Sequence, residues 1–580
     1  VARRRADPGT YTFDLEPDDG DEEDVAASVS RTARPAPRRR GPGPLLIDLD
    51  LEADAPRPSA PAPPRRTAGV LRGAGLRVHE LLRGRRLVAA VVLAAVALTG
   101  VVVDTVGDRS RVAALRTAPG GVLDLSGAPR EVWRVEAEGR VPGGLVATSE
   151  GLVVAQHRDA LLGIDVATGE RRWSVDLPAA TTCGPGMDLW SGVYRVEQAD
   201  RVVCLTAPVG RGARDRARAV TVVDTRGQVV GTRDVAPDGS QLVPGPDGGL
   251  LRMTWVGDGP RDAAVPPSLT VDELYSGDAA DAVPEGYDLR VRLEDAATGE
   301  ERWERTVPFD AGTGPYQCVS WAEDGTADGV NLRGDVVTRV RERTVWVGGC
   351  GIDAWLTHDG DRLDRAGDPS TFEGFSVAAL DAGGFVARRG GEGPRAPVHS
   401  DRLVSADGDR SRELGGRYLA PQSTDGSAQD VQLVRRDDVV VALDGSGDEL
   451  WTARVPAIAV PVRTAQVVTV VAEDRAVHGL DLATGEELWM RDDLFEGVDT
   501  GMLTYGPYVM EGAFTDGRLA AFVVPDLGRG DVLHWFALDV ATGEDLWSVR
   551  TEAEEWGAHL TVDGHLVRWS PTEIVGLSSG

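Results

Sequence analysis

Ala537-Leu538-Asp539-Val540-Ala541-Thr542-Gly543-Glu544-Asp545-Leu546-Trp547 is the stretch whose reading decides the fold. The phrase returns as Gly479-Leu480-Asp481-Leu482-Ala483-Thr484-Gly485-Glu486-Glu487-Leu488-Trp489. It appears again from Asp165 through Gly169 to Trp173, and from Asp295 through Gly299 to Trp303. A copy one residue shorter runs from Asp444 through Gly447 to Trp451. Internal repetition on this scale points to one large array in place of several ordinary domains.

The chemistry of the phrase is that of a hairpin. Asp caps its own turn through side-chain oxygens, and Gly supplies the positive φ that a short loop between antiparallel strands needs. The Trp opens the outgoing strand as a large flat body that must be buried. Every copy carries its own Trp, so the natural burial site is the neighbouring copy. Weaker copies extend the series. Asp224 and Gly227 keep the turn, with Gly231 where Trp is expected; Asp359-Gly360-Asp361 and Asp407-Gly408-Asp409 keep the turn alone. Near the start, Leu123-Asp124-Leu125-Ser126-Gly127 leads to Trp133.

The ends of the array complement each other. Residues His559 to Val562, His565 to Trp569 and Glu573 to Leu577 read as three strands, and a fourth is supplied by Glu131-Val132-Trp133-Arg134-Val135. Pairing them would remove open sheet edges.

Charge is divided unevenly along the 580 residues. Residues 1–86 hold 16 Arg against 14 acids, net +2, whereas the remainder is net −32. The acidic balance argues against a nucleic-acid partner. All 62 basic residues are Arg, so no Walker A, Schiff-base or kinase-type lysine chemistry is available.

Residues 1–69 read as a disordered acidic and Pro-rich tail, with two apolar–acidic islands at Tyr11–Glu16 and Leu45–Leu51. Residues 70–86 form a basic juxtamembrane segment. Leu87 to Val103 is a continuous apolar run of 17 residues, which as a helix covers roughly 25 Å, the short end of a membrane span. The span is taken as 87–105 and 106–120 as a stalk. Five Arg precede the run (Arg72, Arg77, Arg83, Arg85, Arg86), and the three that follow it (Arg109, Arg111, Arg116) are offset by Asp104 and Asp108. The expected topology is therefore a single pass through the cytoplasmic membrane, N-terminus in the cytoplasm and repeats outside. The four cysteines lie in the exported part, and each near pair falls within one repeat, so Cys183–Cys204 and Cys318–Cys350 are the expected disulfides.

The repeats resemble those of the pyrroloquinoline quinone (PQQ) family of β-propellers, whose pattern is A-x-D-x-x-T-G-x-x-x-W. Ala537, Asp539, Thr542, Gly543 and Trp547 match it position for position. The resemblance covers about residues 121–580 and implies an all-β fold of four-stranded blades with the Trp docked between neighbours. Family members have eight blades. The strong and weak copies together number nine, so eight is expected with one weak copy discounted. None of the 14 Trp is followed by Asp, unlike the WD-repeat propeller.

In PQQ dehydrogenases, by the same resemblance, a disulfide between adjacent cysteines packs on the cofactor and calcium is held by Glu, Asn and Asp. Here no two cysteines are adjacent and Asn331 is the sole Asn. No cofactor, no metal and no catalytic residue is therefore assigned. His478 and His534 read as surface residues, Ser376 within Gly374-Phe375-Ser376-Val377-Ala378 as an ordinary strand residue, and Asp359 to Asp361 with Asp364 and Asp368 as a solvated turn. Two stretches break the repeat rhythm: the Pro- and Asp-rich insertion 255–287, and a basic cluster of Arg211, Arg214, Arg216 and Arg218. Loops on a rigid scaffold are where binding concentrates. The expected function is that of a non-catalytic, membrane-tethered scaffold for an envelope protein or polymer, by analogy with related propellers in outer-membrane protein assembly. A transmembrane sensor using the tail is the alternative, and a PQQ-dependent dehydrogenase the second.

Overall fold

The computed structural model describes residues 108–580 apart from 137–144, 186–197, 208–216, 258–261, 264–285, 322–326, 364–375, 389–400, 500–509, 553–556 and a few shorter stretches. The tail, the basic segment and the apolar run 87–103 lie outside the described residues. Among those described, no helix is long and apolar enough to cross a membrane.

The protein is all-β and built almost wholly of antiparallel sheets. Nine of them follow one another along the chain as short meanders, and they are numbered here in chain order. Sheets 1 to 3 span 145–176, 181–235 and 241–307; sheets 4 to 6 span 337–357, 376–413 and 417–453; sheets 7 and 8 span 457–491 and 512–552. Sheet 9 joins the two ends of the array: Ala558–Val562, His565–Trp569 and Glu573–Ser579 are completed by Pro129–Glu136, which pairs with Glu573–Ser579. Among the described residues these sheets number one more than the eight blades expected. Each degenerate turn, at Asp224, at Asp359 and at Asp407, belongs to a sheet of its own, because hairpin formation needs the Asp and Gly of the turn and not the Trp.

Sheet 4 has three strands, with Arg362 bridging Leu356 where a fourth would lie. Sheet 7 gains a fifth, Pro421–Thr424, set parallel on Ala457–Arg463. A small additional sheet pairs Asp262–Ala263, inserted between the second and third strands of sheet 3, with Ala327–Asn331 and Val319–Trp321, which lie between sheets 3 and 4 in sequence. Residues 106–120, expected as a stalk, are helical over 108–117.

The apolar core is divided into layers between consecutive sheets. Leu433, Val440 and Trp451 of sheet 6 pack with Val468, Val470 and Leu480 of sheet 7. Val467, Val471 and Val477 of sheet 7 pack with Ala520, Phe522 and Leu538 of sheet 8. The same holds around the series, and sheet 9 (Leu560, Val567, Ile574) packs on sheet 1 (Leu145, Val153, Ile164). The layers thus form a circuit that returns to its start. Alternating strands bury one side chain set on each flank, so every sheet contributes to two layers.

Candidate functional site

The repeated phrase has one geometry. At Asp165 the carboxylate Oδ1 accepts from the amides of Ala167 and Thr168 at 3.1 and 3.0 Å and from the Thr168 hydroxyl at 3.0 Å. Thr168 Oγ1 in turn accepts from the Glu170 amide at 3.2 Å. Asp295 and Asp481 repeat the arrangement, and Asp539 repeats part of it, accepting from the Ala541 amide at 3.0 Å and from the Thr542 hydroxyl at 3.5 Å. Thr therefore relays the Asp cap to the outgoing strand, a role not assigned from sequence. Gly169, Gly299, Gly447, Gly485 and Gly543 all have φ between 70 and 80°. Hydrogen bonding from Arg172, then from Thr168, holds the Asp165 carboxyl below the usual range against the cost of its burial. Burial pushes Asp295 the other way, but the Thr298 amide and Arg302 outweigh it and keep that carboxyl low as well.

Each Trp reaches into the turn of the next sheet. Trp133, Trp173, Trp303, Trp451, Trp489 and Trp547 donate Nε1–H to the carbonyls of Val166, Thr225, His358, Leu482, Val540 and Leu125 at 2.7 to 3.0 Å. Two links use Arg in place of Trp. Arg233 of sheet 2 donates Nε–H to Ala296 O at 2.8 Å and pairs with Glu294, and Arg412 of sheet 5 donates to Ser446 O. A guanidinium is flat and donates from its edge, as an indole does. These substitutes carried no repeat signal: Arg233 lies two residues beyond the position that the pattern reserves for Trp.

These links lie at one end of the sheets, the end of the Asp–Thr–Gly turns. In an up-down meander the connection from second to third strand, and the one leaving the fourth, emerge at the other end. The chain leaves and re-enters described strands at that end across 207–217, 257–287, 308–336, 364–375, 389–401 and 492–511, and at the turn end across 185–200 and 419–431. Much of these intervals, with Arg211, Arg214, Arg216 and residues 264–285, lies outside the described residues.

Most of the buried titratable groups among the described residues lie at the same end, Glu294 and Arg463 being at the turn end. His559, inside the first strand of sheet 9, meets Glu511 at 2.9 Å and stands edge-on to Trp535 at 4.8 Å between centroids. His534, expected at the surface, is only 4% exposed because strand Val532–Asp539 is interior, and its Nε2 lies 3.4 Å from Asp526. Asp526 also accepts from the Asp499 amide at 3.3 Å. Glu573 bridges Arg568 and Arg134. Asp401, 2% exposed, accepts from the Tyr418 amide at 2.7 Å and faces Arg388 at 3.7 Å. Burial pushes its carboxyl up to about 6 despite Arg388. Tyr287, with Arg333 stacked 3.8 Å above its ring, adjoins the Cys318–Cys350 disulfide.

The two disulfides are Cys183–Cys204, which spans directly opposed residues of adjacent strands, and Cys318–Cys350, which ties the small additional sheet to sheet 4. Neither joins adjacent cysteines, and the Asn331 amide oxygen is engaged by the Arg333 backbone. The residues present do not fit a PQQ–calcium site of the family type. Among the described residues no group of three or more His, Cys, Asp or Glu is placed to hold a metal ion. Asp359 to Asp361 form a turn beneath Trp303, with Asp361 N–H bonded to Thr357 Oγ1; Asp364 and Asp368 lie outside the described residues, and Ser376 begins a strand.

No curated protein matches the chain. Among solved structures it is similar to BamB from Moraxella catarrhalis, at 13% identity over 78% of this chain and 100% of that one, with a TM-score of 0.34. It is also similar to the quinohemoprotein alcohol dehydrogenase from Comamonas testosteroni, at 12% identity over 77% and 76%, with a TM-score of 0.31. Apo AztD from Citrobacter koseri matches at 10% identity over 74% and 98%, TM-score 0.27. A family model described as outer membrane protein assembly factor BamB matches residues 108–339 and 375–548. With well over half of its length so matched, the chain belongs to that family of PQQ-like β-propeller repeat proteins.

Proposed function

We propose that the chain is a non-catalytic, membrane-tethered propeller of nine blades that holds an envelope protein through the end bearing its long connections. The carrying observation is the gathering at that end of the buried His559–Glu511, His534–Asp526 and Asp401 groups. Buried titratable groups are costly to keep and are enriched at functional sites, and among these the Asp401 carboxyl is raised by its burial. The turn end is occupied by inter-sheet links and has little left to offer a partner. Membership of a family named for outer-membrane protein assembly supports a protein as the partner. The apolar run 87–103 supports the tether, with the propeller outside the cytoplasmic membrane. The absence of adjacent cysteines from the sequence and the engagement of Asn331 support a non-catalytic role.

Photo-crosslinking in intact cells tests this reading. Crosslinker at the exposed positions Glu473 and Asp437, in second-to-third-strand turns, is expected to capture an envelope protein. Crosslinker at the exposed Ala483 and Thr542, in Asp–Thr–Gly turns, is not. Equal capture at both ends, or capture at the turn end alone, refutes it. A quinone absorbance in the purified protein would refute the non-catalytic part.

A further inference from the structure

The helix 108–117 and the eight residues after it run across the turn end and touch three sheets in succession. Leu115, 1% exposed, seats the helix, and Ala114 packs against Gly426. Arg111 donates to Asp516 O of sheet 8 at 3.3 Å, and Arg116 lies 3.7 Å from Asp563 of sheet 9. Beyond the helix the chain extends. Pro119 O accepts from the Thr424 amide at 2.8 Å, and Gly120 O from the Ser423 hydroxyl at 2.9 Å and the Thr515 amide at 3.1 Å. Val122 and Leu123 then donate to Thr515 O and Gly564 O at 2.8 and 2.9 Å. Sheet 7 (through Pro421–Thr424), sheet 8 and sheet 9 are thereby laced together before the same chain becomes the fourth strand of sheet 9.

The seat is shaped for two glycines. A Cβ on Gly120, whose φ is +63°, would stand 2.6 Å from Ser423 Cβ, and one on Gly121 would stand 2.4 Å from Leu115 O. The second obstacle is backbone and has no rotamer to yield. Such close approach is a standard reason for Gly at a given position. The segment expected as a plain stalk is therefore built in.

We propose that residues 108–127 are a latch, coupling the chain that precedes residue 108 to closure of the circuit of sheets at sheets 7, 8 and 9. Drawing the helix away from Asp516 and Asp563 strips the strap from Thr515 and Gly564, and with it the support of the Pro129–Glu136 strand that completes sheet 9. The latch gives the membrane-proximal chain a direct hold on the one place where the circuit depends on residues from both ends of the array.

Hydrogen exchange of the full chain in detergent micelles tests this, using Gly121→Val and the milder double variant Arg111→Ala/Arg116→Ala. Strands Pro129–Glu136 and Glu573–Ser579 are expected to exchange about tenfold faster or more in both, as follows from losing one or two net hydrogen bonds' worth of support. Arg201–Thr206 in sheet 2, remote from the strap, keeps its wild-type rate. The latch is overturned if Pro129–Glu136 stays protected while 118–123 loses protection, or if sheet 2 accelerates equally. Should Gly121→Val not accumulate as folded protein, the Arg double variant decides alone.

Discussion

Trp451 and Gly485 contend for the same space, and a double-mutant cycle on them measures the link between sheets 6 and 7. The Trp451 ring is 7% exposed, donates to Leu482 O at 2.7 Å, and lies where a Cβ on Gly485 would come within 2.5 Å of Cε3. Trp451→Ala removes the packing and leaves the Leu482 carbonyl without its donor, a cost of about 3–5 kcal/mol, of which ~1 is the hydrogen bond. Gly485→Ala incurs two penalties. Its φ of 74° costs an L-residue about 1–2 kcal/mol, and the new methyl strikes the indole. In the Trp451→Ala background only the first remains, because the methyl enters the space the ring has left. The cycle is therefore expected to show a favourable coupling of about 1–3 kcal/mol, the range for residues in direct contact. Urea unfolding followed by far-UV circular dichroism reads it as a shift in midpoint at constant m. Additive costs, or a Trp451→Ala cost below ~1 kcal/mol, would refute the assignment of Trp and turn Gly to one shared joint.

Asp401 gives a pH signature. Its folded pKa, raised by burial to about 6, stands above that of the unfolded chain, so its contribution to stability is fully present below pH ~4 and is lost as pH rises through 6. Asp401→Asn should gain on the wild type by up to ~3 kcal/mol between pH 4 and 7, since Asn can still accept from the Tyr418 amide; parallel pH–stability profiles would count against it. The disulfides close loops of 21 and 32 residues, each worth about 3 kcal/mol through the unfolded chain, so replacing either pair with Ala should lower the urea midpoint by similar amounts. Gly231→Trp, which restores the repeat pattern, should destabilise by about 1–3 kcal/mol, because a Cβ there already lies 2.4 Å from Ala297 Cβ; a stabilised variant would show that Arg233 is a poor substitute.

Sheet number and strand pairing were legible wherever a local rule governs them. Asp, Thr and Gly act within five residues, so even copies lacking Trp marked real hairpins; the uneven strand numbers of sheets 4 and 7 and the small additional sheet were not legible from them. The complementary ends were legible for the same reason: three strands without a fourth, and a fourth strand without its three. What escaped depends on registers set by other sheets. Arg233 and Arg412 replace Trp at joints whose geometry is fixed by the turns at Asp295 and Asp444, and nothing in their own neighbourhood distinguishes them. His534 read as a surface histidine because it precedes a strand end, yet it lies inside strand Val532–Asp539. Phe536 and the layer of sheet 7 cover the face on which it lies.

The division between the two ends of the sheets gives these observations a common cause. A repeat joint needs the same backbone turn each time, and a turn holding a neighbour's Trp or Arg has no freedom to lengthen. Most of the buried charges among the described residues therefore lie at the opposite end, Glu294 and Arg463 excepted, where a change in one connection costs the others little. The same constraint explains why the strap 108–127 crosses the turn end. The turns at Thr515 and Gly564 are short, so a single extended segment with two glycines reaches them in succession after meeting Ser423 and Thr424 of the longer connection 419–431. The repeated phrase thus does more than hold sheet to sheet. By fixing one end of most sheets, it leaves the other end freer to vary and gives the segment 108–127 a regular surface to cross.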